Sequence, residues 1–118
     1  WDDLGARCNG CGGCSLVCPK CTCFSAVDEM LSDTTGRRTR IKDSCRLRTY
    51  SLEASGHNPR ALAADRAKRW SYHKLSQGYA ERNGQHGCVG CGRCTQVCMG
   101  GVAMPHVARS IRKAGRNA

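Results

Sequence analysis

The chain has 118 residues and a formal net charge of +10, with 11 Cys but only six aromatic residues (Phe, Trp and Tyr together). This length allows one domain over residues 1–118, yet so few large side chains fill only part of a core, and cofactors must supply the rest. No stretch approaches the roughly 18 apolar residues of a transmembrane helix, and no apolar signal segment precedes the cysteines. We therefore expect no direct membrane span and a reducing cytoplasm, where thiols stay free.

The first motif along the chain is a cysteine run with the spacing C-x2-C-x2-C-x3-C, formed by Cys8, Cys11, Cys14 and Cys18. An iron–sulfur cubane presents iron corners that each take one soft thiolate, and steps of three residues let one tight loop reach three corners. Glycines between these cysteines let the backbone wrap a cluster closely and offer N–H groups to its sulfurs. The spacing therefore predicts part of a [4Fe–4S] site.

An insert over residues 24–86 follows, which is longer than the segment that links two such cysteine runs in a minimal bacterial ferredoxin. Within it, segments 27–31 and 38–41 flank the turn-rich stretch 32–36. Two such segments around a turn predict a β-hairpin.

The remainder of the insert is expected to be mainly helical. Asn58 followed by Pro59 predicts the cap and first position of a helix over 61–75, which weakens at Gly78. One face of that helix would carry Leu62, Ala63, Ala67 and Trp70.

The second cysteine run repeats the first, with Cys88, Cys91, Cys94 and Cys98 each eighty positions after its counterpart. A short helix over 105–111 is predicted after this run. Pro105 suits the first helical position, and basic residues in the last turns interact favourably with the helix dipole at its C-terminal end. The repeat indicates two clusters rather than one.

The spacing also predicts how the ligands are shared. In bacterial ferredoxins of this pattern, the fourth Cys of each run ligates the other cluster. We therefore assign Cys8, Cys11, Cys14 and Cys98 to cluster 1, and Cys88, Cys91, Cys94 and Cys18 to cluster 2. Cys14 and Cys18 then hold different clusters while at most about 14 Å apart, which suits electron transfer between them. Zinc prefers paired C-x2-C ligands, and disulfides leave one of 11 cysteines over, so both alternatives are disfavoured.

Three cysteines remain after these eight: Cys21, Cys23 and Cys45. Either they are small buried hydrophobes near the clusters, or they form a third metal site or an exchangeable redox thiol. The histidines available to such a site are His57, His73 and His86. The chain has no Ser/His/Asp constellation, Rossmann-type phosphate loop or flavin signature, so we expect no catalysis by the chain alone.

Two bound clusters lower the net positive charge, because each oxidised cubane with its four thiolates carries about −2. The net charge of the chain with both clusters is then about +6. The remaining cations are concentrated at Arg37, Arg38, Arg40, Arg46, Arg48, Arg66, Lys68, Arg69, Arg109, Arg112, Lys113 and Arg116. We interpret these groups as solvated faces or as docking surfaces for acidic proteins, in preference to nucleic acid.

A family resemblance extends over nearly the whole chain. It is carried by the segment 8–24, by Asp43-Ser44-Cys45, by Gly56-His57-Asn58-Pro59-Arg60, by His73-Lys74 and by the segment 87–94. Together these resemble the two-cluster iron–sulfur (beta) subunits of cytoplasmic [NiFe] hydrogenases, the sulfhydrogenases, and the related iron–sulfur subunit of anaerobic sulfite reductase. The second run departs from the ferredoxin pattern at Met99, where Pro is usual, which removes a rigid turn but no ligand.

The resemblance implies a function for the chain. It implies an electron-transfer subunit with two [4Fe–4S] clusters, placed between a flavoprotein that uses FAD and NAD(P) and the small and large hydrogenase subunits, or those of a sulfite reductase. The fold class expected is α+β, a bacterial two-cluster ferredoxin-like domain with an insert. One alternative is the iron–sulfur component of a heterodisulfide-reductase-like or sulfite-reductase enzyme. Another is a nucleic-acid-binding iron–sulfur protein.

Overall fold

The computed structural model describes residues 1–116. Its helices are α1 (Asp2–Arg7), α2 (Gly13–Leu16), a 3-10 turn (Arg48–Ser51), α3 (Ala63–Leu75), α4 (Gln77–Asn83), α5 (Arg93–Val97) and α6 (Met104–Arg116). Its strands are β1 (Phe24–Met30) and β2 (Gly36–Lys42). The described part of the chain thus combines helices with one small sheet, which agrees with the α+β class predicted.

The two strands form an antiparallel hairpin in which Phe24 pairs with Lys42 and Met30 with Gly36. The hairpin prediction is confirmed, although both strands are longer than the sequence indicated. Every residue of both strands is exposed. Arg38 donates to Asp28 at 2.6 Å across the strands, but such exposed ion pairs contribute little stability. The hairpin therefore projects from the domain, which measures 61 × 32 × 27 Å along its principal axes.

Helix α3 is the main structural helix of the insert. It begins at Ala63 rather than at residue 61, because Asn58 caps an earlier turn: its Oδ1 accepts from the backbone N–H of Arg60 at 2.9 Å. Ala67 and Trp70 lie on the buried face, as predicted. The prediction that Leu62 shares this face is wrong, since Leu62 precedes the helix and is 66% exposed.

The short helices pack around α3 and around each other. Helix α1 lies against α3, α2 packs on α5, and α6 contacts both α3 and α5. The last helix is longer than expected: it begins at Met104 and continues to Arg116 instead of ending at residue 111.

Two glycines allow close backbone contacts at the second cysteine run. A Cβ at Gly87 would lie 2.1 Å from the carbonyl oxygen of His73, at the end of α3. A Cβ at Gly100 would lie 2.0 Å from the carbonyl oxygen of Arg7, at the end of α1. Both ends of the second run are thus held directly against helix termini, with no room for a side chain.

The buried core is small and lies beside the cysteines. One cluster of buried side chains contains Leu4, Val102 and Val107, with Cys8 and Cys98 packed against it. The other is built from Cys45, Trp70 and Met104, and it contacts Cys14, Cys21, Cys23, Leu75, Cys88 and Cys94. The cysteine sulfurs therefore line the faces of the core. Within residues 1–116, none of the helices is long and apolar enough to cross a bilayer.

Candidate metal centres

The two cysteine runs adopt the same backbone conformation. Gly12 and Gly92, eighty positions apart, have φ of 75° and 77°, a left-handed conformation that side chains disfavour. Each then starts a helix, since Gly12 accepts from the N–H of Ser15 at 3.0 Å and Gly92 from that of Thr95 at 2.9 Å. The sequence repeat is therefore a repeat of structure.

The repeat continues past the fourth cysteine of each run. The carbonyl of Cys18 accepts from the N–H of Cys21 at 3.3 Å, and the carbonyl of Cys98 accepts from the N–H of Gly101 at 3.2 Å. The chain thus turns in the same way at both places, even though Pro19 follows Cys18 and Met99 follows Cys98. The proline is not needed for this turn.

A cavity of about 200 Å³ lies between the second run and α3. Its lining includes all four cysteines assigned to cluster 2, namely Cys18, Cys88, Cys91 and Cys94. Cys14, Trp70 and Met104 also line it. The fourth cysteine of the first run therefore faces the three leading cysteines of the second.

A second, tighter cavity of about 20 Å³ lies beside the first run. Its lining includes the four cysteines assigned to cluster 1, namely Cys8, Cys11, Cys14 and Cys98. The side chain of Arg46 also lines it. A cubane fits here only if the cysteine side chains move outward. Because Cys14 lines both cavities, the two lie next to each other.

In residues 1–116, no group of three or more His, Cys, Asp or Glu side chains is placed to hold a single metal ion. Zinc thiolates lie about 2.3 Å from the ion and hence roughly 4 Å from each other. A cubane is held differently, by one thiolate at each iron corner, and this allows a wider ring of sulfurs.

Backbone N–H groups already point at two of the predicted ligands. Gly10 donates to the sulfur of Cys8 at 3.3 Å, and Val102 donates to the sulfur of Cys98 at 3.2 Å. Such hydrogen bonds stabilise a thiolate and tune a cluster bound to it. Both sulfurs belong to the tighter cavity, so the backbone around it fits an anionic cofactor.

Two buried cations also contact predicted ligands. Arg46 donates from Nη2 to the sulfur of Cys8 at 2.7 Å, and Lys74 donates from Nζ to the sulfur of Cys18 at 3.3 Å. Arg46 is 3% exposed and Lys74 is 4% exposed. The interpretation of Arg46 as part of a solvated or docking face is therefore wrong, and so is that of Arg66, which donates to the carbonyl of Arg46. Nothing local in the sequence indicates these long-range contacts.

Burial and charge shift the thiol pKa values in opposite directions. Burial raises the pKa of Cys14 to about 12, although the guanidinium of Arg46 partly offsets this. The pKa of Cys18 is lowered: burial alone would raise it, but hydrogen bonds from the Lys20 backbone and the Lys74 ammonium outweigh that effect. Metal binding must therefore displace a firmly held proton from Cys14.

The three remaining cysteines lie together on the other side of Trp70. Cys21, Cys23 and Cys45 line a cavity of about 160 Å³ that also contains Tyr50 and His73. Burial, together with the nearby thiol of Cys23, raises the pKa of Cys45 to about 12.

His57 and His86 lie away from the cavity lined by Cys21, Cys23 and Cys45. His57 pairs with Glu53 at 3.2 Å on the surface, and His86 lines a different groove. Of the histidines weighed from the sequence, His73 is thus the one that the fold brings to this cavity.

The two cysteine-lined cavities and the repeated loops define a two-cluster iron–sulfur domain. Residues 7–102 match the family model of the 4Fe-4S dicluster domain, so the chain belongs to this family and binds two [4Fe–4S] clusters. The chain is also 34% identical, over 113 residues, to the sulfhydrogenase 2 subunit beta of Pyrococcus furiosus. That match covers 96% of the chain but 33% of the relative, so the chain spans about a third of that protein's length. No solved structure matches the chain significantly.

Proposed function

We propose that the chain is an electron-transfer subunit that relays electrons through its two [4Fe–4S] clusters inside a multisubunit oxidoreductase. The observation that carries this proposal is that two cysteine-lined cavities lie side by side and share Cys14. Adjacent clusters form a path along which single electrons can move. The chain by itself is not a catalyst on this proposal.

The ligand assignment is part of the proposal. Cluster 1 is held by Cys8, Cys11, Cys14 and Cys98, and cluster 2 by Cys88, Cys91, Cys94 and Cys18. The linings of the two cavities support this crossed arrangement, because each contains three cysteines of one run and the fourth of the other. When bound, the clusters supply the electron-carrying sites, and the loops and buried side chains hold and orient them.

The similarity to a hydrogenase subunit supports a proposal about the partners. A sulfhydrogenase subunit beta is one component of a hydrogenase. We therefore propose a flavoprotein with FAD and NAD(P) on one side of the relay and a catalytic subunit, most simply that of a [NiFe] hydrogenase, on the other. The thiolate-held, reducible clusters fit a reducing compartment, the cytoplasm.

The test uses the complex purified anaerobically from its native source, with iron analysis and EPR of the reduced state. We expect about eight irons per chain and co-purifying flavin-containing and catalytic subunits. Replacing the ligand with Cys98→Ser should slow electron transfer from nicotinamide to the catalytic site of the complex by at least a hundredfold. The rate at which each partner subunit reacts with an artificial redox dye should remain unchanged. This control distinguishes a loss of electron transfer through the chain from a loss of activity in a partner subunit.

The matched control is Cys21→Ser, which changes a cysteine of the same region that is not a proposed ligand. It should leave both the iron content and the overall electron transfer near the wild-type value. Full electron transfer in a Cys98→Ser complex that has lost one cluster would contradict the relay.

A further inference from the structure

The insert places one buried cation at each of the two candidate cluster sites. Arg46 follows the hairpin and reaches the sulfur of Cys8 at 2.7 Å, whereas Lys74 projects from the last turn of α3 to the sulfur of Cys18 at 3.3 Å. In the proposed assignment these two cysteines belong to different clusters. Each candidate cluster site thus has one buried cation that donates a hydrogen bond to one of its cysteine sulfurs.

Neither cation is neutralised by a carboxylate. The salt bridges found in residues 1–116 involve Arg7, Arg37, Arg38 and His57, and none of them includes Arg46 or Lys74. Burying an unpaired charge is costly, so a buried cation normally has an anionic partner. Instead, each cation reaches a cysteine sulfur, which is anionic once it ligates a cluster.

Both cations are also held in fixed positions. The guanidinium of Arg46 lies over the ring of Trp70, 5.4 Å from its centroid, and its own carbonyl accepts from Arg66 at 3.0 Å. The ammonium of Lys74 makes a second hydrogen bond, to the carbonyl of Gly87 at 3.0 Å. A rigid donor keeps its distance to the sulfur when the charge of a bound cluster changes.

We propose that Arg46 and Lys74 are positioning residues that each raise the reduction potential of one cluster: Arg46 that of cluster 1 and Lys74 that of cluster 2. Reduction adds one negative charge to a cluster, and a cation bonded to its thiolate in a low-dielectric interior stabilises that charge. Both residues come from the insert. The inference rests on the proposed ligand assignment and adds to it the groups that set the potentials.

The test is an EPR-monitored redox titration of the full chain, loaded with both clusters, using dithionite as the reductant. In Arg46→Met and Lys74→Met, we expect the ratio of reduced to oxidised cluster at a fixed potential to fall at least tenfold for one cluster. For a one-electron couple this is a downward shift of the midpoint by about 59 mV. Each variant should shift a different midpoint and leave the other near its wild-type value.

The matched controls are Arg48→Met and Lys68→Met, which remove the same charge at exposed positions close to Arg46 and on the same helix as Lys74. They should move both midpoints far less, because solvent screens their charges. The charge-retaining Arg46→Lys and Lys74→Arg should keep their midpoints nearer the wild type than the Met variants do.

A second measurement does not depend on any variant loading its clusters. In wild-type protein with ¹⁵N-labelled Lys or Arg, pulsed EPR of the reduced clusters should detect hyperfine coupling to a side-chain nitrogen. Retained clusters with unchanged midpoints in both Met variants, or no such coupling, would overturn this inference alone. A wild-type chain that takes up no four-iron clusters would instead overturn the proposed function.

Discussion

The proposed crossed ligation makes a prediction that two pairs of substitutions can test. Each cavity is lined by three cysteines of one run and the fourth of the other, and Cys14 of the first run also lines the larger cavity. The double variant Cys18→Ala/Cys88→Ala therefore removes two ligands from one site and leaves the other complete. The double variant Cys8→Ala/Cys18→Ala removes one ligand from each site and leaves neither complete. Both variants lose two thiolates, so they differ only in how the ligands are shared.

The expected readout follows from counting the complete sites. After anaerobic reconstitution and reduction, Cys18→Ala/Cys88→Ala should keep about four irons and about one [4Fe–4S] spin per chain. Cys8→Ala/Cys18→Ala should give close to no [4Fe–4S] spin, because three-ligand sites lose iron. Iron analysis and integrated EPR intensity measure both quantities, and Cys21→Ala serves as the control that keeps two clusters. The opposite ranking of the two double variants would show that each run holds its own cluster.

Three further predictions concern the fold around the clusters. Gly87→Ala should destabilise the domain by about 3 kcal/mol or more, because the new Cβ would lie 2.1 Å from the backbone oxygen of His73. The control Gly115→Ala, in an open stretch of α6, should be neutral or stabilise the domain by up to about 1 kcal/mol. Thermal unfolding of the cluster-loaded protein compares the two variants, and equal unfolding midpoints would contradict the Gly87 contact. Trp70→Ala should cost about 3–5 kcal/mol in the same assay, since it empties the centre of the larger core, and a loss below 1 kcal/mol would be inconsistent with that packing. Burial raises the pKa of Cys45 from 9.0 to about 12, so this residue has about a thousandfold less thiolate at pH 8 than in the unfolded chain. After the higher nucleophilicity of a more basic thiolate is included, iodoacetamide should label it at least roughly thirtyfold more slowly than in the unfolded chain. The labelling should accelerate as the pH rises towards 12. Mass spectrometry of labelled peptides measures this rate, and labelling at the unfolded rate would show that the thiol is not buried.

The structure and the family match add different information about the two clusters. The match establishes the dicluster family over residues 7–102, whereas the geometry shows that Cys14 lines both cavities. Such closeness suits a relay, because an electron that enters one cluster is already beside the next. The projecting hairpin and the exposed Arg and Lys side chains leave a large surface for the proposed partner subunits.

The sequence by itself determined the features that depend on local spacing. Two runs with identical steps predicted eight ligands and two clusters, because one tight loop can reach three corners of a cubane. A turn-rich stretch between two strand-like segments predicted the hairpin, and the helical spacing of apolar residues placed Ala67 and Trp70 on the buried side of α3. Each of these signals is local, because the residues that form one motif lie within a few positions of one another.

The tertiary structure alone decided the features that join distant segments. It brought Arg46 to Cys8 and Lys74 to Cys18, separations of 38 and 56 residues, and so turned two members of an apparent basic surface into buried neighbours of the cluster sites. It also gathered Cys21, Cys23 and Cys45 in one cavity with His73. No local sequence signal tells whether a charged side chain lies in solvent or beside a buried thiolate, because the packing of the whole chain fixes its environment.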